Sequence, residues 1–293
     1  MAETARRPSV SNIAWPAEND SEALALVAEL GFEGLELAPA KVFGDPFKIG
    51  SADLRAYRNR VTGYGLEISA LQGILFGSQD AHLFKSDASR RIMSLHLARI
   101  AELASELGAR ACVFGAPTLR DPGDLPIAAA HQIAIDFFAK IADIYSGHGV
   151  ALCLEANPPL YNCRFITRTA EALALVETVD RPGLALQLDT GTIFLNGEDP
   201  GLIVSAALRI GHFHVSEPSL VPIGTAAVDH APLAAALKAS AYTGWISVEM
   251  KSVAEWRQAL RQAYEVVTQA YTGDDGSTAA VTTAQSLSPP STA

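Results

Sequence analysis

The sequence predicts an α/β fold, a single (β/α)8 TIM barrel, because short apolar strands alternate with helical segments along nearly the whole chain. Eight strand–helix units recur at intervals of roughly 30–40 residues, which fits a closed barrel better than an open sheet. The 293 residues are 49% hydrophobic, which is enough for one large core. An open doubly wound sheet would carry a glycine-rich phosphate turn after its first strand, and Asn12–Asn19 contains no GxGxxG motif.

The first half of the chain supplies four of these units. Strands are predicted over short apolar segments, and helices over segments whose apolar residues are three and four positions apart. Gly31 and Gly108 follow two of the helices, and a left-handed glycine commonly ends a helix. The predicted strands are Ser9–Trp15, Gly34–Leu37, Leu66–Gly73 and Ala111–Gly115, and the predicted helices are Asp20–Leu30, Ala52–Thr62, Ala88–Leu107 and Pro126–Ser146.

The four strands of the second half share one design, in which a short apolar run ends at an acidic residue or a histidine. An unpaired charge beside an apolar core is destabilising, so four such strand ends indicate that these residues belong to one shared site. The C-terminal ends of barrel strands meet at one rim. The runs are Val150–Glu155, Leu184–Asp189, Gly211–His214 and Trp245–Glu249, and the helices predicted after them are Thr167–Val179, Pro200–Leu208, Ala231–Ala239 and Ala254–Tyr271.

Alternation along these four strands supports a shared interior. Side chains on a strand point to its two faces in turn, so the residue two positions before each strand end faces the same way as that end. These deeper residues are Cys153, Gln187, His212 and Ser247, which are polar or small. The intervening residues are Leu154, Leu188, Phe213 and Val248, which are all apolar and are predicted to face the helices.

Three carboxylates and an imidazole on one rim need a cation between them, which predicts a site for one divalent metal ion. The predicted metal ligands are Glu155, Asp189, His214 and Glu249. This oxygen-rich set favours a hard or borderline ion, with Mn²⁺ first and Co²⁺, Mg²⁺ and Zn²⁺ as alternatives. Gln187, His212 and Asn157 are candidates for orienting the ligands. Any one of the strand-end carboxylates, taken alone, is more often a helix cap or a surface residue.

Composition narrows the class of partner. The formal net charge is −10, the pI is about 5.2 and no strongly basic run occurs, which argues against a nucleic-acid partner. No apolar stretch reaches the ~18 residues of a membrane span. The N-terminal segment MAETARRPSVSN lacks the apolar centre of a signal peptide, so we expect a cytoplasmic protein.

The domain boundary is predicted near the C-terminus. Residues 1–271 are expected to form one barrel domain, the catalytic domain. From Thr272 onward the sequence is small, polar and proline-bearing, which is typical of a segment that cannot bury enough apolar surface to order itself. Residues 272–293 are therefore predicted to be a disordered tail.

Motifs around the strand ends carry a family resemblance. They are CLEANP around Glu155, LQLDTGT around Asp189, GHFHVSEP around His214 and ISVEM around Glu249, and the early GFEGLELAP is similar to a second strand. From Ser9 to Tyr271 the chain resembles the xylose isomerase-like TIM-barrel superfamily, in particular its D-tagatose 3-epimerase-like branch of sugar isomerases and epimerases.

This resemblance implies that the four residues hold one divalent ion, commonly Mn²⁺ or Co²⁺, with a sugar or polyol as substrate. It also implies that Glu155 and Glu249 are the acid–base pair, and that a homo-oligomer, a dimer or tetramer, is the expected assembly. Should either glutamate not move the proton, the base is to be sought among His212, Glu217 and His230.

The chain departs from the epimerase pattern at three positions. Thr192 stands where epimerases usually carry a histidine, Tyr161 where they carry a second glutamate, and Leu220 where they carry an arginine. The leading hypothesis is a metal-dependent isomerase or epimerase that works through an enediolate. The alternative is a lyase, either a dehydratase or a C-glycoside-cleaving subunit, since both chemistries begin with proton abstraction beside a carbonyl. A non-catalytic metal-bearing barrel and an endonuclease are the remaining alternatives.

Overall fold

Eight parallel strands close into a barrel in chain order, with the eighth strand paired to the first, so the predicted (β/α)8 barrel is confirmed. This computed structural model describes residues 6–78 and 80–272. The predicted disordered tail lies outside the described residues, apart from Thr272. The strands are β1 Arg7–Ser11, β2 Gly34–Leu37, β3 Glu67–Leu71, β4 Ala111–Phe114, β5 Ala151–Glu155, β6 Leu184–Asp189, β7 Ile210–Ser216 and β8 Trp245–Glu249.

Helices surround the barrel, and most begin and end within two residues of their predicted bounds. They are α1 Asp20–Leu30, α2 Pro39–Phe43, α3 Ser51–Gly63, α4 Asp87–Leu107, α5 Ile127–Gly147, α6 Thr169–Val179, α7 Thr190–Asn196, α8 Gly201–Ala206, α9 His230–Ala239 and α10 Trp256–Val267. The sequence does not predict α2 and α7, because five and seven residues are too few to show a helical period. No helix among the described residues is long and apolar enough to cross a membrane.

The first strand is shorter than predicted. It ends at Ser11 rather than Trp15, because Asn12–Ala14 turns into a 3-10 helix whose first turn is capped by the Ser11 hydroxyl. The Asn12 side chain then accepts a hydrogen bond from the backbone nitrogen of Ala38, at 2.9 Å. An apolar run alone does not reveal this turn, since Ile13 and Trp15 suit a strand equally well.

The side-chain alternation predicted for the second-half strands is present. Leu154, Leu188, Phe213 and Val248 belong to the main core between the strands and the helices. Inside the barrel, Ala70, Ala111 and Cys153 form a separate cluster of small buried residues. These small side chains fill the barrel interior below the strand ends. The polar residues that end β5 to β8 lie above them, at the C-terminal rim.

A close approach between β6 and α5 fixes the position of the sixth strand. A Cβ atom on Gly183, the residue before β6, would lie 1.9 Å from the carbonyl oxygen of Ala142. That neighbour is backbone within a long helix, so it cannot move aside cheaply.

We therefore expect Gly183→Ala to lower the free energy of unfolding by about 3 kcal/mol, through overpacking. Gly147→Ala is the matched control, because Gly147 ends α5 and has no atom near its Cβ direction; it should leave stability equal or slightly higher. Urea denaturation of both variants measures this, and equal stabilities would show that the strand and helix are free to separate.

Candidate active site

Three of the predicted ligands lie together at the C-terminal rim. Glu155, His214 and Glu249 each offer an atom within 4.8 Å of the others. The Nδ1 atom of His214 is 3.1 Å from Glu249 Oε2 and 3.7 Å from Glu155 Oε1. His214 is fully buried, whereas both glutamate side chains keep a small exposed fraction. The imidazole therefore forms the floor of the group, and the carboxylates face the cavity above it.

A buried glutamate that the sequence analysis did not single out orients His214. The Glu36 carboxylate, on β2, accepts a hydrogen bond from His214 Nε2 at 2.9 Å and one from the Ser247 hydroxyl at 2.7 Å. The Nε2 atom of His212 is 3.3 Å from the same carboxylate. With Nε2 held by Glu36, His214 turns Nδ1 toward Glu155 and Glu249. A carboxylate behind an imidazole in this way fixes both its orientation and its tautomer.

The charges in this cluster shift one another's pKa values. Burial alone would raise the pKa of Glu36, but His214 and His212 together hold it far below its usual range. Burial likewise disfavours a charged His214, yet the carboxylates of Glu36 and Glu249 raise its pKa well above the ordinary value. Burial raises the pKa of Glu249 to about 7; the charges of Glu155 and Asp189 act in the same direction, and His214 opposes them. A carboxyl group with a pKa near 7 suits proton transfer at neutral pH.

Asp189, the fourth predicted ligand, is engaged differently. One of its oxygens accepts from the Ser216 hydroxyl, and the other accepts from the backbone nitrogen and the hydroxyl of Thr192, both at 2.9 Å. The residue also caps the N-terminus of α7. It is close enough to raise the pKa of Glu249, but its own pKa is raised mainly by burial and by Glu155. Asp189 therefore borders the three-residue group rather than closing it.

A buried polar chain supports Glu155. The Asn157 side chain donates to Glu155 Oε2 at 2.8 Å and accepts from Arg120 Nη2 at 2.9 Å. Arg120 is fully buried at the end of a 3-10 turn after β4, and its Nε and Nη1 atoms have no hydrogen-bond partner. Gly115 leaves room for the pair, because a Cβ there would lie 2.6 Å from Glu155 Oε2. The sequence analysis named Asn157 but not Arg120.

Two other predicted residues lie deeper in the barrel. Gln187 and His212 are buried and face each other as register partners on β6 and β7. The Oε1 atom of Gln187 and the Nε2 atom of His212 make no aligned hydrogen bond. Neither residue lines the cavity: the His212 ring packs edge-on against the His214 ring, and Gln187 Nε2 lies 3.5 Å from the Leu188 carbonyl oxygen.

Glu217 and His230 belong to a separate network. The Glu217 carboxylate accepts from the backbone nitrogens of Gly224, Thr225 and Ala226, and His230 Nε2 is 3.3 Å away. His230 Nδ1 lies 2.7 Å from the Tyr271 hydroxyl. Burial would raise the pKa of Glu217, but the bonds from His230 and the loop amides lower it. These two residues anchor the loop after β7 to the last helical turn, and their polar atoms are occupied there.

A cavity of about 490 Å³ opens above the rim. Its walls are the loop after β3, residues 72–78, and the end of β4 with the turn that follows it, residues 113–116, 118 and 119. Glu155 and Glu249 lie at its base. Ligand-binding cavities typically measure about 300–1,000 Å³. The two carboxylates can therefore reach a bound molecule of small size.

The donor set fits a divalent ion. His214 Nδ1 is buried and makes no aligned hydrogen bond, although two carboxylates lie beside it. An orphaned nitrogen next to paired carboxylate oxygens is a costly arrangement unless a proton or a cation joins them. Glu36, His212 and His214 form a second group of close ligand atoms, but the Glu36 oxygens are already bonded to His214 and Ser247.

Comparison with known proteins agrees with this architecture. The family described as xylose isomerase-like TIM barrel matches residues 24–270. The chain belongs to this family. It is 28% identical over 247 residues to the L-ribulose 3-epimerase of Methylomonas sp. (strain DH-1), covering 80% of this chain and 79% of that one. It is 26% identical to the L-ribulose 3-epimerase of Mesorhizobium japonicum, covering 83% and 80% of the two chains.

Among solved structures, the fold is similar to that of D-psicose 3-epimerase determined in the presence of D-fructose. The TM-score is 0.77 at 19% identity, and the match covers 91% of this chain and 100% of the other. At this identity the likeness concerns the fold.

Arg120→Met tests the buried chain behind Glu155. We expect the variant to unfold about 2–4 kcal/mol more easily, because the Asn157 oxygen and the Ile166 carbonyl lose their charged donor in a buried site. Arg164→Met is the control, since Arg164 is exposed and pairs with Asp121 at the surface; it should change stability by less than ~1 kcal/mol. Guanidinium denaturation compares the two, and a smaller loss for Arg120→Met than for Arg164→Met would contradict this account.

Proposed function

We propose that this chain is a divalent-metal-dependent epimerase or isomerase of sugars or keto-sugars. The observation that carries the proposal is the pair of carboxylates, Glu155 and Glu249, on either side of His214 at the base of a sugar-sized cavity. Relatives of similar length are ketose 3-epimerases, which supports the same class of reaction here.

Glu155, His214 and Glu249 would hold the ion, with Asp189 as the adjoining fourth ligand. Glu36 holds Nε2 of His214, so Nδ1 would be directed at the ion. When bound, a divalent ion would supply a Lewis acid that polarises a substrate carbonyl and makes the neighbouring C–H bond more acidic. Mn²⁺ is the favoured ion, on the chemistry of an oxygen-rich donor set with one imidazole.

Proton transfer falls to the two glutamates. One carboxylate removes the proton beside the carbonyl to give an enediolate, and the other returns a proton at the same or the neighbouring carbon. Glu249, with its pKa raised to about 7, can both accept and release a proton near neutral pH. Asn157 holds the Glu155 carboxylate in place by its hydrogen bond to Oε2. A lyase would share the first step and differ in losing a leaving group, so product analysis distinguishes the two.

Glu155→Gln and Glu249→Gln test the acid–base pair. Each substitution keeps one oxygen donor but removes the basic carboxylate, so metal binding should weaken moderately while turnover falls by about 10²–10⁴. The measurement is deuterium incorporation from D₂O at the carbon beside the substrate carbonyl. Glu102→Gln, an exposed carboxylate on α4, is the control. A metal-loaded variant that exchanges at the wild-type rate would show that its carboxylate does not move the proton.

The variant Asp189→Asn tests whether Asp189 acts as a metal ligand or takes part directly in proton transfer. We expect the loss of activity to follow metal loss, so excess Mn²⁺ should restore part of the turnover. Titration of activity against metal concentration measures this. A variant that stays inactive at saturating, fully bound metal would give Asp189 a direct part in the reaction.

Glu36→Gln tests the support behind His214. Removing the negative charge on Nε2 should weaken Mn²⁺ binding by about 10–100-fold. Ser247→Ala is the matched control, since it removes one neutral hydrogen bond to the same carboxylate and leaves the charge. Calorimetric titration of one ion per chain gives both affinities. Equal affinities for Glu36→Gln and the wild type would remove Glu36 from the site.

A further inference from the structure

The Tyr161 hydroxyl uses only its oxygen within the protein. The phenol oxygen accepts a hydrogen bond from the backbone nitrogen of Ser219 at 2.8 Å. A phenol can also donate its own proton. Among the residues that the structure describes, none accepts the proton of this phenol. Tyr161 therefore carries an O–H donor that is available to a bound molecule.

This donor is held between the strand ends of the candidate site. Tyr161 ends the short turn Pro159–Tyr161 that follows β5, and its partner Ser219 follows β7. The residue after Ser219, Leu220, accepts from the backbone nitrogen of Lys251, which follows β8, at 2.7 Å. The phenol is thus linked to the ends of β5, β7 and β8, the strands that carry the three-residue ligand group.

The charges of the ligand group act on the phenol. Burial raises the pKa of Tyr161, and the hydrogen bond from the Ser219 amide opposes this rise. The charges of Asp189, Glu249 and Glu155 raise the pKa further. A phenol whose pKa lies above its ordinary value stays protonated at neutral pH, so its O–H remains a donor.

The turn that contacts the phenol has a strained backbone. Ser219 and Leu220 are consecutive residues with φ of 60° and 53°, in the left-handed region that residues other than glycine rarely occupy. The contacts that hold this turn are the Tyr161 bond to Ser219 and the backbone bonds of Leu220 to Glu217 and Lys251. Strain of this kind persists where surrounding contacts enforce it, and it is concentrated at functional sites.

Proton removal beside a carbonyl gives an oxygen that needs such a donor. As the C–H bond breaks, its electron pair forms the C=C bond of the enediolate, and the electrons of the C=O double bond move onto the oxygen. The rim already carries several carboxylates, so a further negative charge there is stabilised only by a cation or by hydrogen-bond donors. A donor fixed in place before the reaction is an effective way to stabilise that charge.

We propose that Tyr161 is a catalytic residue whose phenol donates a hydrogen bond to the enediolate oxygen as that oxygen gains negative charge. This inference rests on the proposed proton-transfer function of Glu155 and Glu249. Because the Ser219 amide occupies one side of the phenol oxygen, the proton of the phenol lies on another side and is free to meet the substrate.

Tyr161→Phe removes the donor and keeps the ring. We expect kcat for D₂O exchange of free ketopentoses and ketohexoses by the Mn²⁺-loaded full chain to fall by about 10²-fold, the effect of losing one oxyanion donor. The affinity for Mn²⁺ should stay unchanged. Tyr64→Phe is the matched control and should keep kcat, since Tyr64 lies between α3 and the start of β3, away from the rim. An unchanged kcat for Tyr161→Phe, or a loss that follows Mn²⁺ release, would overturn the proposal.

Tyr161→3-fluorotyrosine separates donation from a purely structural role. Fluorine makes a phenol a stronger donor and a weaker acceptor, so the two roles predict opposite effects. A donor to the enediolate oxygen predicts a kcat above that of the wild type, measured at a pH where the phenol is protonated. A phenol that only accepts from Ser219 predicts an equal or lower kcat, which would count against the proposal.

Binding of acetohydroxamate separates this proposal from the proposed function, because its adjacent pair of oxygens resembles an enediolate and no turnover is needed. Calorimetry on the Mn²⁺-loaded chains should show affinity about tenfold weaker for Tyr161→Phe than for the wild type and Tyr64→Phe. Exchange with no ketose, together with this difference in affinity, overturns the proposed function alone. Equal affinities for Tyr161→Phe and the wild type overturn the role of Tyr161, even where exchange occurs.

Discussion

The contact between Glu36 and His214 is the interaction on which the site depends. Both side chains are fully buried, and a buried carboxylate without partners is strongly destabilising. His214 and Ser247 are hydrogen-bonded to it and His212 Nε2 lies 3.3 Å away, so strands β2, β7 and β8 are joined through one anion inside the barrel. Any change in the register of these strands would separate Glu36 from these partners and leave a buried, unpaired carboxylate, which is destabilising. The site therefore forms only when the barrel closes in its native register, and the Glu36 contacts in turn stabilise that register.

His214 links the interior to the cavity because its two nitrogens face opposite ways. Nε2 is held by Glu36, whereas Nδ1 faces Glu155 and Glu249 without an aligned hydrogen bond. Burial raises the pKa values of Asp189 and Glu249, and the negative charge concentrated on that second side raises them further. A rim with this electrostatic balance attracts protons or cations. The proposed metal ion would relieve the repulsion among these carboxylates.

The sequence predicts the barrel well, because its periodicity is local and the four strands of the second half end in polar residues. The alternation of side chains along these strands also predicts that Glu155, His214 and Glu249 lie together. The sequence analysis misses Glu36 because this residue is the third of the four-residue run GLEL rather than its last, so it resembles an ordinary strand residue. The sequence analysis misses Arg120 because this residue lies in a turn, where no helix or strand periodicity predicts which way a side chain points. Glu217 and His230 carry suitable chemistry, but their loop contacts arise only in three dimensions.

Two of the three departures from the epimerase pattern, Thr192 and Tyr161, form hydrogen bonds within the protein. The Thr192 hydroxyl lies within hydrogen-bonding distance of Asp189 Oδ2 and of the Ala156 carbonyl oxygen, and the Tyr161 hydroxyl accepts from the backbone nitrogen of Ser219. Both side chains are therefore engaged by neighbouring parts of the protein. The cavity lining combines the carboxylates of Glu155 and Glu249 with the apolar side chains of Ile74, Leu75 and Phe76, so a bound molecule would meet charge at the base and apolar surface on the wall.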